Sequence, residues 1–322
     1  MKVSVIICTY NRADSLGRTL ASLAPGNVPN DCEVIVVDNN SSDHTQQVLR
    51  EYQERYPVVF KCSIERKRGK AAALNHGIRV SQGEILAFTD DDVVLPANWI
   101  EEIVKAVDAH PECDIFGGRV VPVLSEGGSF PDWIHWEDPY NVAEGPLVDH
   151  NNGDSVRSYH EFGMCVPVGA NFFIRRRAID KYGYYIENNA GTNDPATAED
   201  SVWSNKAKNA GAAMLYVPTV VVSHVTDERR LSKKFFVQYA RTSAKACRAN
   251  TPGDQDSPCR LFNVPWWFYR KLLNAFGIYM LSLLKGEKES LVFAKQYSVF
   301  HMFWIIYEFA KDYKFRFVKP QA

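Results

Sequence analysis

The chain has 322 residues, enough for about two domains, or one large domain with an appendage, built on a sizeable core. Its residues are 46% hydrophobic, 12% aromatic and 23% charged, a globular composition that excludes a wholly disordered or fibrous chain. With 37 Lys and Arg against 38 Asp and Glu, the net charge of −1 argues against a dedicated nucleic-acid binder, so an anionic partner has to be held locally. Over the first hundred residues, short β-branched runs alternate with longer amphipathic ones, the pattern of parallel βαβ units. Residues 3–8 form a strand whose apolar run is too short for the core of a secretory leader. A helix capped by Asp14 or Ser15 runs to about 23, and 33–37 is a second strand ending on Asp38. After the polar turn 39–42, Asp43 with Gln46 reads as a capping box opening a helix to 56. Residues 58–64 give an edge-like strand and 70–80 a helix. Residues 84–89 give a fourth strand, running into Asp90, Asp91 and Asp92, and a further helix spans 96–110.

The stretch 125–161, rich in Gly, Pro, Asp and Trp, reads as an extended loop over the site. Regularity returns at 165–174, followed by helices at 176–182 and 200–209, strands at 213–217 and 220–224, and a helix over 231–249. A linker at 251–258 leads to two helices, 265–284 and 287–315. The seven cysteines form no CxxC pair, which fits a reduced, cytoplasmic setting.

Acidic or polar residues follow strands one, two and four, which in an open parallel sheet are the carboxyl edges where ligands bind. Three adjacent aspartates repel one another unless a cation or donor compensates, and carboxylate oxygens suit Mg2+ or Mn2+. A solvated turn with a helix cap is the bland alternative. The turn after strand one, Thr9-Tyr10-Asn11-Arg12, carries neither GxGxxG nor GxxxxGK[ST], which speaks against dinucleotide and P-loop chemistry. The basic run Arg66 to Lys70 precedes a helix and can either meet a diphosphate or form a solvated face. Asn75 sits one turn further on. Glu199 and Asp200 start a helix, where capping alone accounts for them as well as catalysis does. His224 ends a β-branched strand and is either a structural histidine or part of a mixed metal site that tilts the ion toward Mn2+.

In order, 3–12, 36–43, 69–75, 88–92, Gly169-Ala170-Asn171-Phe172-Phe173, Ala198-Glu199-Asp200 and His224 resemble glycosyltransferase family 2, over about residues 1–245. The resemblance implies an α/β GT-A fold, a Rossmann-like mixed sheet flanked by helices, with a C-terminal helical extension. Residues 1–115 would form the nucleotide-sugar-binding half, 116–249 the acceptor half and 259–322 the extension. It implies metal-dependent inverting transfer from a nucleotide-sugar, with a UDP-sugar preferred, to a hydroxyl of a saccharide or lipid-linked acceptor. By position, Asp38 would read the base, and Thr9, Asn11 and Arg12 would line the nucleotide pocket. Lys70, Asn75, Asp90 and Asp91 would approach the ribose and diphosphate. Asp92 and His224 would hold Mn2+ or Mg2+, Asp200 with Glu199 would supply the catalytic base, and Gly169, Ala170 and Asn171 would line a sugar pocket. Val93 departs from the commoner pattern, which has another acidic residue there, so Asp91 can share the metal role. A non-catalytic nucleotide-sugar-binding or scaffold protein of the same fold is the rival, and it has no need of Asp200.

At the C-terminus, Trp266 and Trp267 stand beside Arg270 and Lys271, and a second apolar helix carries Phe300, Phe303 and Trp304. Aromatics next to cations suit a helix lying on the cytoplasmic membrane face. A helical hairpin packed on protein is the alternative, and both readings stand.

Overall fold

The computed structural model describes residues 2–23, 26–125, 128–137, 140–161, 166–187, 199–250, 260–262 and 264–311. It divides into two compact units: Met1–Gly127 with Val148–Asn193 and Ala198–Thr226, and Gly128–Leu147 with Asp194–Thr197 and Asp227–Ala322.

The first unit runs β1 (Val3–Thr9), α1 (Ala13–Ser22), β2 (Cys32–Asp38), α2 (Thr45–Arg55), β3 (Phe60–Ile64), α3 (Lys70–Val80), β4 (Ile85–Thr89), β5 (Val93–Val94) and α4 (Trp99–Ala109). It continues with β6 (Ile115–Leu124), β7 (Arg157–Ser158), β8 (Phe172–Arg175), α5 (Arg177–Tyr182), α6 (Glu199–Asn209) and β9 (Met214–Thr226). One mixed sheet orders the strands β3-β2-β1-β4-β8-β6-β9-β5, with β7 also on β9. β3, β2, β1 and β4 are parallel, whereas β8 enters antiparallel between β4 and β6. The side-chain alternation of a strand divides the core between the two faces. Val3, Val5 and Ile7 of β1 pack with Leu16, Leu20, Trp99 and Ile103. Ile6 packs on the other face with Leu74, Ile78, Trp203 and Ala207. The mixed sheet flanked by helices is therefore the expected fold class.

Some local expectations change. Asp43 does not close a capping box with Gln46: its carboxylate accepts from Thr45 N at 3.0 Å and from Ala13 N at 3.2 Å, so it joins the starts of α2 and α1. The strands expected at 213–217 and 220–224 are one strand, β9, passing through Pro218. The β6 register jumps there, from Gly118 opposite Val217 to Arg119 opposite Val221, so the proline's missing N–H falls where no ladder bond is needed. Within the regular stretch expected at 165–174, a short 3-10 turn, Gly169–Asn171, precedes β8; residues 162–165 lie outside the described residues, as do the linker 251–258 and the chain beyond 311.

The second unit holds α7 (Lys233–Asn250), a small ladder of β10 (Arg260–Leu261) with β11 (Val264–Pro265), α8 (Trp266–Lys285) and α9 (Glu289–Ala310). Trp133 lies edge-on to Phe236 at 5.0 Å and to Phe293 at 4.9 Å, building one apolar cluster. Val264, Phe268, Ile305 and Phe309 build another. α8 ends at Gly286 in the left-handed region, φ 62°, and Glu287 then accepts from Ser282 Oγ and Lys295 Nζ, fixing the turn into α9. Among the described residues no helix is long and apolar enough to cross a membrane.

Candidate active site at the carboxyl edge of the sheet

The parallel register sets Thr9 opposite Asp38, so β1 and β2 end together beside the end of β4. Asn11 and Asn40 take positive φ, 51° and 65°, in the turns that follow, a conformation asparagine tolerates better than most residues. The two turns interlock: Asn11 Oδ1 accepts from Ser42 N at 2.7 Å, and Asn11 N donates to Ser41 Oγ at 2.9 Å. Asp38 is buried. Its Oδ1 accepts from Ser41 N at 2.9 Å, whereas its buried Oδ2 has no hydrogen-bond partner.

The aspartate triplet after β4 meets cations of the chain itself. Lys70, the first residue of α3, reaches Asp90 at 2.6 Å, and Arg12 Nη1 bridges Asp91 at 2.9 Å and Asp92 at 2.8 Å. Thr9 Oγ1 donates to Asp91 at 2.7 Å. Burial opposes the charge on Lys70, but Asp90 and Asp200 outweigh it and hold the ammonium well above its usual range. Burial pushes the Asp91 carboxyl up to about 6, against Arg12 and with help from Asp92.

A short ladder brings His224 to the triplet. Val93 of β5 pairs with His224 of β9, and Val225 N donates to Asp92 O at 2.8 Å. His224 Nε2 then stands 3.4 Å from Asp92 Oδ1, a buried oxygen without a hydrogen bond. Val93 is fully buried at that register, so an apolar residue there replaces the commoner acid without exposing β-branched surface. Asp90, Asp92 and His224 each offer a ligand atom, all within 4.8 Å of one another. Two hard carboxylates, one of them with an orphaned buried oxygen, and an imidazole fit Mn2+ or Mg2+.

Asp200 reaches the same edge through two bonds. Thr89 Oγ1 donates to Ala170 O at 2.8 Å, and Gly169 N donates to Asp200 Oδ2, while Ser201 N donates to Oδ1 at 2.8 Å. Glu199 precedes it, half-buried, at the start of α6. Two residues of the expected site are spent inside the protein. Asn171 donates to Arg119 O and Val220 O, both at 2.9 Å, and accepts from Trp99 Nε1 at 3.1 Å. Asn75 donates to Tyr185 O at 3.0 Å and Glu187 Oε1 at 2.7 Å and accepts from Tyr185 N at 3.0 Å.

Sequence reasoning passed over two residues. Asn39, read only as part of a polar turn, donates to Glu65 O and Lys67 O and accepts from Gly69 N at 2.8 Å, and so shapes the basic turn in front of Lys70. Tyr185 is buried against Phe88 and Trp203, near enough to Asp200 and Lys70 to feel their charges. Neither carries a sequence signal, because both contacts are long-range.

A parallel sheet interrupted by the antiparallel β8, with an acidic turn at its carboxyl edge, is the GT-A architecture of nucleotide-sugar enzymes. The family model described as Glycosyl transferase family 2 matches residues 4–183, more than half of the chain, which therefore belongs to that family. The chain is 26% identical over 223 residues to Glycosyltransferase AglE of Haloferax volcanii, covering 69% of this chain and 66% of that one. It spans 66%, 44% and 31% of the lengths of the first curated relatives. Among solved structures, mannosyltransferase PcManGT of Pyrobaculum calidifontis, in complex with GDP-Man and Mn2+, superposes with TM-score 0.57 at 20% identity, over 95% of this chain and 87% of that one. S. aureus TarS 1-349 in complex with UDP-GlcNAc does so with TM-score 0.52 at 20% identity, over 76% and 66%. Both show the fold.

Proposed function

We propose that this chain is a metal-dependent inverting glycosyltransferase that moves a sugar from a nucleotide-sugar, a UDP-sugar in the first place, to a hydroxyl of a saccharide or lipid-linked acceptor. The observation that carries this reading is the convergence of Asp90, Asp92 and His224 at the sheet edge that also receives Asp200. Structural neighbours in complex with UDP-GlcNAc and with GDP-Man support the donor class, and Mn2+ in one of them supports the ion.

On this reading Asp38 Oδ2 accepts the imide N–H of the base, which supplies its missing partner. Asn11 and Asn40 shape the turns around the base. Arg12 and Lys70 face the diphosphate from either side of the acidic turn. Held by Asp90, Asp92 and His224, a divalent cation would supply positive charge to the departing diphosphate. Asp200, steadied by the N–H of Gly169, takes the acceptor's hydroxyl proton. That oxygen bonds to the anomeric carbon as the bond to the diphosphate oxygen breaks on the opposite face, inverting the centre. No covalent intermediate is needed. Four free cysteines among the described residues, Cys8, Cys32, Cys62 and Cys113, support a reduced, cytoplasmic setting.

Thermal shift against a panel of nucleotide-sugars, with and without Mn2+, identifies the donor, and release of nucleoside diphosphate then reports transfer. Asp200→Asn should retain the donor-induced shift and lose about 10²–10⁴-fold in turnover. Near-normal turnover in that variant would remove Asp200 from the base role, and a metal-independent donor shift would remove the cation. Donor binding without release in the unaltered protein would favour the non-catalytic binder.

A further inference from the structure

We propose that the outward face of α8 docks on an anionic lipid bilayer, with the helix lying along the membrane surface. The proposal concerns a surface outside the candidate active site and holds whichever donor is used.

α8 turns Phe268 and Ser282 inward, and the positions opposite them are open. Trp266, Leu273, Met280 and Leu284 recur at helical spacing along that open face, with Leu281 beside them. Leu273 is 68% exposed and Leu284 81%. A water-facing helix places polar residues on this side, and a helix apolar on both sides calls for a second apolar environment.

The charges around this face select the environment. α8 contains Arg270, Lys271 and Lys285 and no acidic residue. The first acid after it, Glu287, is held by Ser282 and Lys295, and Glu289 is paired with Lys233 at 2.7 Å. Lys271 lies 4.7 Å from the ring centroid of the exposed Trp267, so the aromatic and cationic groups stand together at the N-terminal end of the helix. Leucine side chains between cations and indole rings match a headgroup layer, in which rings sit at the interface and Lys or Arg meets anionic lipid. The cations within its length, and the absence among the described residues of any helix apolar enough to span, keep α8 on the surface.

The test is co-sedimentation of the full chain with vesicles of phosphatidylcholine alone, or of phosphatidylcholine containing about one-third phosphatidylglycerol, at low salt and at ~1 M salt. Binding to the anionic vesicles at low salt is expected, weakening in salt and falling at least tenfold with neutral lipid. Leu273→Glu combined with Leu284→Glu should abolish it, and Arg270→Gln with Lys271→Gln should weaken it by roughly fivefold per cation removed. All four side chains are exposed, so circular dichroism and nucleoside diphosphate release with a soluble acceptor should stay as in the parent. Val58→Glu, at a 78% exposed apolar position of the first unit, should leave vesicle binding unchanged. Absence of sedimentation with either vesicle overturns the proposal, as does equal sedimentation of the double-glutamate variant. Self-association without lipid that the same variant abolishes would assign the face to a second copy instead.

Discussion

The carboxylate assigned to proton removal is positioned by a backbone group. Gly169 N donates to Asp200 Oδ2, and a Cβ at Gly169 would lie 2.7 Å from that same oxygen. A methyl there keeps the N–H but pushes the carboxylate off it. Gly169→Ala should therefore lower kcat by about 10²-fold, the scale of a misplacement near 1 Å, with the donor KM little changed. Steady-state kinetics beside a melting curve decide it: an unchanged kcat would mean that Asp200 is held elsewhere, and a collapsed Tm would make the effect structural. Asp38 and the triplet Asp90 to Asp92 were legible in the sequence because they end strands, whereas Asp200, at a helix start, stood out only through the family resemblance. Its bond to Gly169 was not legible, since the glycine lies 31 residues away and the contact is made by main chain.

The buried amide of Asn171 holds together a break in the sheet. The β6–β9 ladder breaks between Gly118 and Arg119, which frees the carbonyls of Arg119 and Val220, and the buried Asn171 amide donates to both. Its Oδ1 also takes the indole N–H of Trp99, tying α4 to the same point. A Cβ on Gly118 would stand 2.1 Å from Asn171 Nδ2, so the amide fills the space beside the break. Removing it leaves three buried polar groups without partners, each costing about 1–3 kcal/mol. Asn171→Ala should destabilise the first unit by roughly 3–5 kcal/mol in urea unfolding. If stability held and only the sugar KM rose, Asn171 would serve the sugar pocket, as the family resemblance implies, and not the sheet. Helix and strand positions were otherwise legible, because β1, β2 and β4 are short, almost continuously buried apolar runs, whereas α1 and α4 each bury one face. Pro218 was read as a gap between two strands because a proline's tolerance depends on the partner strand, which the sequence does not display.

Across the whole molecule, the parallel pairing of the first strands followed from alternating βαβ patterns, while their order and the insertion of β8 did not, since antiparallel pairing to β4 and β6 leaves no local trace. The C-terminal helices were legible as helices, but not the assignment of α7 to their unit, which rests on contacts far apart in sequence. The stretch 125–161 read as a loop, yet it brings His150 into the sheet region, where the backbones of His150 and Val120 exchange two hydrogen bonds of 3.0 Å. The imidazole is buried beside Tyr159 Oη at 2.9 Å and Asn152 Nδ2 at 3.2 Å, both neutral, and burial lowers its pKa from 6.5 to about 4. Between those two values the unfolded chain binds a proton that the folded chain refuses. Stability from this residue is thus fully present above 6.5, declines as pH falls, and stops declining near 4. The span corresponds to about 3 kcal/mol. Urea unfolding of the full chain, followed through the first unit's transition, should lose that much between neutral and mildly acidic pH beyond the loss shown by His150→Gln. Titrating carboxylates are common to both proteins, so the difference between the two curves isolates the histidine. Parallel curves would mean that His150 is protonated in the fold, with a carboxylate or water reaching it that burial among Tyr159, Asn152 and Tyr216 otherwise excludes.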